Sequence, residues 1–204
     1  MRLGIFGGTF DPPHLGHLIL AAESQCQLDL DRLLFVLTSS PPHKIGQSIT
    51  PIELREKMLE AALSDNPFFE FSRVDIDRPG PHYAVDTVNI IRNQFPGSEI
   101  IYLMGGDSLR HLPEWHKPRE LVDAVDRLGV MRRPGHKINW QNLEKNIPGI
   151  SNKVSFVDAP LLEISSSEIR KRVAEHCTYR YYVPREVYKV ITETGLYLNN
   201  SSNG

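Results

Sequence analysis

Short apolar runs alternate along the chain with stretches in which apolar residues recur every three or four positions. Residues 3–6 form one run, which ends at Gly7-Gly8; residues 33–37 and 100–104 form two more, and residues 128–131 and 154–157 are shorter versions. Runs of this kind predict strands buried on both faces. Residues 68–76 alternate loosely and are read as a further strand. Between the runs, Leu15, Leu18, Ile19, Ala22 and Cys26 fall on one helical stripe. Thr50-Pro51-Ile52-Glu53 has the form of a capping box with proline at the first helical position, which predicts a helix from there to about Leu63. Helices are also expected over 83–94, in two short pieces broken around Pro113 and Pro118, after Ile164, and over 184–194, where Gly195 stops the chain. Strands alternating with helices at this spacing predict an α/β protein with a doubly wound parallel sheet and helices on both faces. No repeat or linker divides it. Residues 1–198 are expected to form a single domain, with 199–204 a disordered tail.

Composition narrows the function classes. Of 204 residues, 40% are hydrophobic and 24% charged, and the formal net charge is −2. Nothing global calls for nucleic acid or an anionic membrane, so any polyanion site must be local. No apolar run approaches membrane-spanning length, and Met1 leads straight into a strand, which leaves no room for a signal peptide. Cys26 and Cys177 each lack a neighbouring cysteine and are expected as unpaired thiols in a reducing cytoplasm.

The chemistry concentrates where strands stop. After the first run come Gly7, Gly8, Thr9, Phe10 and Asp11, then two prolines, His14 and His17. Strand, glycine turn and helix start is an arrangement that holds phosphate, because close backbone approach and unpaired N–H groups favour an anion. Asp11 is the candidate N-cap. His14 and His17 share a helix face, three residues apart. The pair could also ligate a metal or be structural, but no nearby Cys, Asp or Glu completes a zinc set. Neither the dinucleotide fingerprint nor the P-loop is present. Other polar clusters follow the later runs: residues 38–44, 105–107, 132–133 and 162–170. Ser165 can cap a helix, bind phosphate, or both. Trp115, flanked by Pro113, Glu114, His116 and Lys117, suits a stacking plate as well as a half-exposed structural role.

The stretch from Gly7 to His17 resembles the H-x-G-H motif of the nucleotidylyltransferase superfamily. Ile164-Ser165-Ser166-Ser167-Glu168-Ile169-Arg170 resembles its second motif, with Ser167 where threonine is usual. Together they are similar to the bacterial nicotinate-nucleotide adenylyltransferases. The resemblance implies a Rossmann-like fold and an enzyme joining ATP and nicotinate mononucleotide into deamido-NAD and pyrophosphate. Nicotinamide mononucleotide or phosphopantetheine as acceptor, CTP as donor, and a non-catalytic nucleotide sensor are the alternatives. It implies that His14, His17 and Arg170 are catalytic. ATP would be held by these three with Gly7, Gly8, Thr9, Phe10, Gly105, Asp107, Ile164, Ser166 and Ser167. His43, Lys44, Tyr83, Ala84, Trp115 and Arg133 would hold the acceptor. Mg2+ is expected to arrive with ATP, and no dedicated protein metal site is expected. Ala84 stands where the family commonly has threonine and lacks its hydroxyl.

Overall fold

The computed structural model describes residues 1–39, 49–132, 138–160 and 162–198. Six strands form one sheet: β1 (Arg2–Gly8), β2 (Arg32–Leu37), β3 (Phe69–Ser72), β4 (Glu99–Gly105), β5 (Arg127–Arg132) and β6 (Val154–Asp158). Their order is β3-β2-β1-β4-β5-β6 and every pairing is parallel. The chain therefore runs outward from β1 in one direction, returns, and runs outward in the other. The reversal lies between β1 and β4, the place at whose carboxyl ends open α/β sheets hold their ligands.

Parallel strands buried on both faces need apolar side chains at successive positions, and these have them. Ile5, Leu34, Ile100 and Tyr102 point into one layer, with α3 (Ala84–Gln94), α5 (Pro118–Ala124) and α6 (Trp140–Asn146). Phe6, Leu33, Phe35 and Ile101 point into the other, with α1 (Leu15–Gln27) and α2 (Ile52–Leu63). A third apolar cluster joins α2 to α7 (Ser166–Ala174) and α8 (Arg185–Thr194) through Met58, Ile169, Val187 and Ile191. The doubly wound sheet expected from the sequence is the observed one. No helix among the described residues is long and apolar enough to cross a membrane.

Four local expectations differ. The strand expected over 68–76 ends at Ser72, because Arg73 and Asp77 close a turn there: the Ile76 and Asp77 amides both donate to the Arg73 carbonyl. Thr50 caps no helix. Pro51 is the N-cap of α2, and the Thr50 amide instead donates to Asp11. Asp11 is likewise not the cap of α1, since that helix begins after His14. The short helix α6 was not expected; Asn139 caps it by accepting the Asn142 amide, and Leu143 is its buried anchor. The two short helices around Pro113 are present as α4 (Gly106–His111) and α5, with a single 3-10 turn between them. Cys26 and Cys177 are unpaired and exposed. The tail 199–204 lies outside the described residues.

Candidate active site

The loop after β1 is built by its neighbours. Arg55 of α2 is 2% exposed and donates to four carbonyls: Thr50 at 2.8 Å, Thr9 at 3.2 Å, Thr38 at 2.9 Å and Ser39 at 3.1 Å. One guanidinium thus ties together the chain ends leaving β1 and β2. Burial pulls its pKa below the ordinary arginine value, and the charge of Asp11 works the other way. Gly8 must be glycine, because a Cβ there would lie 2.8 Å from the Phe10 ring. Phe10 itself is buried in the α1–α2 layer at φ 45°. Its ring meets that of His17 edge-on, with 5.0 Å between centroids. Phe10 therefore supports the loop through its side chain rather than facing the cavity.

At the start of α1 the His14 amide donates to His17 Nδ1 at 3.2 Å, and the two imidazoles stack with 3.6 Å between centroids. Gly16 permits this arrangement, since a Cβ there would come within 3.1 Å of the His14 ring. His14 is 6% exposed, and its Nδ1 has no hydrogen-bond partner among the described residues. Desolvation by burial lowers its pKa to about 4. The ring is therefore neutral near pH 7, and His14 is one of the residues that border the cavity described next.

The second motif closes on the first. Ser165 caps α7 by accepting the Glu168 amide at 3.2 Å, and its hydroxyl lies 3.1 Å from that of Ser167. Ser166 Oγ donates to the Pro12 carbonyl at 2.9 Å, and Arg170 Nη1 donates to the Asp11 carbonyl at 2.7 Å. Arg170 does not point away to solvent. A cavity of about 390 Å³ opens between the motifs, lined by His14, His17, Ile164, Ser166, Ser167 and Arg170. Met131, Arg132 and Leu162 also line it. Of these, Arg132 was noted only as part of a strand-end cluster; its guanidinium lies over Phe156 and 3.6 Å from Asp158. Gly105 pairs in register with Met131, so the β4 end adjoins this wall. Asp107 follows in the first turn of α4, 3.8 Å from Arg110.

Three of the expected acceptor residues, Tyr83, Ala84 and Trp115, lie on the α3 side. The loop before α3 is held by Asp75, 3% exposed, whose Oδ1 accepts from Arg78 at 2.9 Å and from the Thr87 hydroxyl at 2.7 Å. Tyr83 is the N-cap residue of α3 and stacks on His116 with 3.9 Å between rings. Ala84 and Trp115 pack half-buried against the same layer. Trp115 meets Tyr102 edge-on at 6.4 Å, and the Tyr102 hydroxyl lies 3.3 Å from where a Gly7 Cβ would be. Tyr102 thus links the indole to the β1 end. His43, Lys44 and Arg133 lie outside the described residues.

Strand ends, two anion-ready helix starts and a cavity between them define a class. A family model described as cytidylyltransferase-like matches residues 5–172, so the protein is a nucleotidylyltransferase. A probable nicotinate-nucleotide adenylyltransferase of Thermomicrobium roseum is 47% identical over 196 residues, covering 96% of this chain and 91% of that protein. The nicotinate-nucleotide adenylyltransferase of Bacillus subtilis is 37% identical over 196 residues, covering 96% and 98%. The chain belongs to the nicotinate-nucleotide adenylyltransferase family. The fold is shared with a Plasmodium falciparum nicotinic acid mononucleotide adenylyltransferase solved with NaAD, at TM-score 0.76 and 18% identity, covering 96% of this chain and 97% of that one.

Proposed function

We propose that this protein transfers the adenylyl group of ATP to nicotinate mononucleotide, giving deamido-NAD and pyrophosphate. The observation that carries this reading is the joining of the two motifs: Arg170 and Ser166 of the second bond the carbonyls of Asp11 and Pro12 in the first, around one cavity. An acceptor phosphate oxygen attacks the α-phosphorus, the bond to the bridging oxygen breaks, and pyrophosphate leaves with that oxygen. The nucleophile is already an anion, so no general base is required. The protein must align two polyanions and meet the charge that builds on the leaving group.

His14, His17 and Arg170 supply that field, and residues 7–10 place the backbone around the phosphates. Gly105 and Asp107 face the nucleoside from the β4 end, with Ile164 and the serines opposite. Tyr83, Ala84 and Trp115, together with His43, Lys44 and Arg133, receive the acceptor. Among the described residues no group of three or more His, Cys, Asp or Glu side chains could hold a metal. The donors around the cavity are N–H and hydroxyl groups, which suit a triphosphate already carrying Mg2+. That ion would neutralise phosphate charge. Residues 1–198 act as one domain, and the two free thiols suit a reducing cytoplasm.

The test is pyrophosphate release with ATP or CTP against a panel of acceptors. Dinucleotide should form from ATP and nicotinate mononucleotide, with nicotinamide mononucleotide a poorer acceptor. Product from phosphopantetheine, or from CTP alone, would overturn the assignment.

A further inference from the structure

Tyr197 follows α8, outside the sheet, yet its phenol reaches the first loop. Its hydroxyl donates to Asp11 Oδ1 at 2.6 Å, across 186 residues of chain. Asp11 Oδ2 accepts the Thr50 amide at 3.2 Å, and the Asp11 carbonyl accepts Arg170. Asp11 is therefore held at three atoms by three distant segments. The backbone on both sides of the Tyr197 contact is left-handed: φ is 64° at Tyr197 and 45° at Phe10, the neighbour of Asp11. Aromatic residues rarely adopt this conformation, and it persists where surrounding contacts over-determine it. The Tyr197 hydroxyl also lies 3.9 Å from Met58 Sδ of α2, the helix that carries Arg55. Burial, and the adjacent Asp11 carboxylate, push the pKa of the phenol well up, so it remains a donor.

We propose that Tyr197 is a positioning residue for adenylyl transfer: acting through Asp11, it fixes the loop that leads to His14 and the carbonyl on which Arg170 rests. The proposal rests on the reaction assigned above. Two phosphate-facing groups from opposite ends of the chain keep their spacing only if Asp11 stays in place. A displacement of about 1 Å can cost ~10²-fold in rate even when it originates away from the chemistry.

The experiment compares the full-length Tyr197→Phe protein with a control, Val190→Ala. Val190 is a buried α8 side chain of the third apolar cluster. Steady-state rates with ATP and nicotinate mononucleotide are measured beside thermal melts. Tyr197→Phe should lower kcat about ten-fold and raise the KM for ATP, leaving the acceptor KM within about two-fold. Val190→Ala should lower Tm at least as much and keep kcat. Tyr197→Phe added to Asp11→Ala should lose no more than Asp11→Ala alone, since the alanine already removes the oxygen that accepts the phenol. Unchanged kcat and ATP KM in Tyr197→Phe would overturn the positioning role, as would equal kcat losses in Tyr197→Phe and Val190→Ala, or losses that multiply in the double variant. An unmodified protein that makes no dinucleotide overturns the assigned reaction, and this proposal with it.

Discussion

His17 Nδ1 is the acceptor of the His14 amide, and this one contact fixes the chemistry of the His17 ring. A nitrogen that accepts carries no proton, so the neutral ring must bear its hydrogen on Nε2. His17 then meets the cavity as an oriented N–H donor, and its ring cannot also be protonated at Nδ1 without losing the bond to the helix start. The same contact satisfies one of the unpaired amides there.

His17→Ala should therefore act twice. Removing a preorganised donor should lower kcat by about 10²-fold or more. Removing the acceptor at the start of α1 should cost about 1 kcal/mol of stability. Single-turnover rates and denaturant melts separate the two effects. Several kcal/mol of lost stability with kcat retained would assign His17 to folding instead.

His14 should make stability depend on pH. Its folded-state pKa lies near 4, below the ordinary 6.5, because burial disfavours the charged ring. Between those values the unfolded chain binds a proton that the folded protein does not, so stability falls as pH drops through 6.5 toward 4. Between about pH 7 and pH 5 the loss should be about 2 kcal/mol. His14→Asn should remove that part of the pH dependence. In NMR titrations the His14 ring should charge near pH 4 in the free protein and at higher pH once a triphosphate is bound. A ring titrating at 6.5 in the free protein would refute this.

Arg170→Lys keeps a charge but not the planar fork that reaches the Asp11 carbonyl while facing the cavity. We expect kcat/KM for ATP to fall about ten- to a hundred-fold, corresponding to ~1.5–3 kcal/mol for a charge-assisted bond. The acceptor KM should change little. Equal damage to both substrates would mean that the residue serves the whole site.

Arg55 should prove a folding residue with a catalytic consequence. Arg55→Met leaves four carbonyls without this donor and should cost ~1–3 kcal/mol for each that stays buried and unsatisfied. Arg55→Lys should recover only part, since one ammonium cannot span segments from Thr9, Thr38 and Thr50. Urea melts measure the loss. A change below about 1 kcal/mol would show that the loops hold without it.

The strands of the sheet were legible because burial on both faces leaves an apolar run that few other elements produce, as at residues 33–37 and 100–104. Residues 73–76 misled because Asp75 is buried as the acceptor of Arg78 and Thr87, a polar solution that imitates alternation. Thr50 has the letters of a cap, but Pro51 took that place and the Thr50 amide was drawn to Asp11. The helix starts bearing His14, His17, Ser166 and Arg170 could be read because glycine, serine and histidine at set spacings are a local signal. Arg55 and Tyr197 could not. The carbonyls that Arg55 bonds carry no residue signature, and Tyr197 finds its partner 186 positions away.

The position of β1 in the middle of the sheet also orders events during synthesis. The ribosome makes the central strand and its histidines before the other strands, yet β4 cannot cover the second edge of β1 until residues 99–105 exist. Arg170 reaches Asp11 only after 159 further residues. A chain interrupted between β6 and α7 would possess all six strands and both histidines but no closed cavity. Translation thus delays competence until α7 has been made, and products terminated before Arg170 should be inert toward ATP rather than partly active.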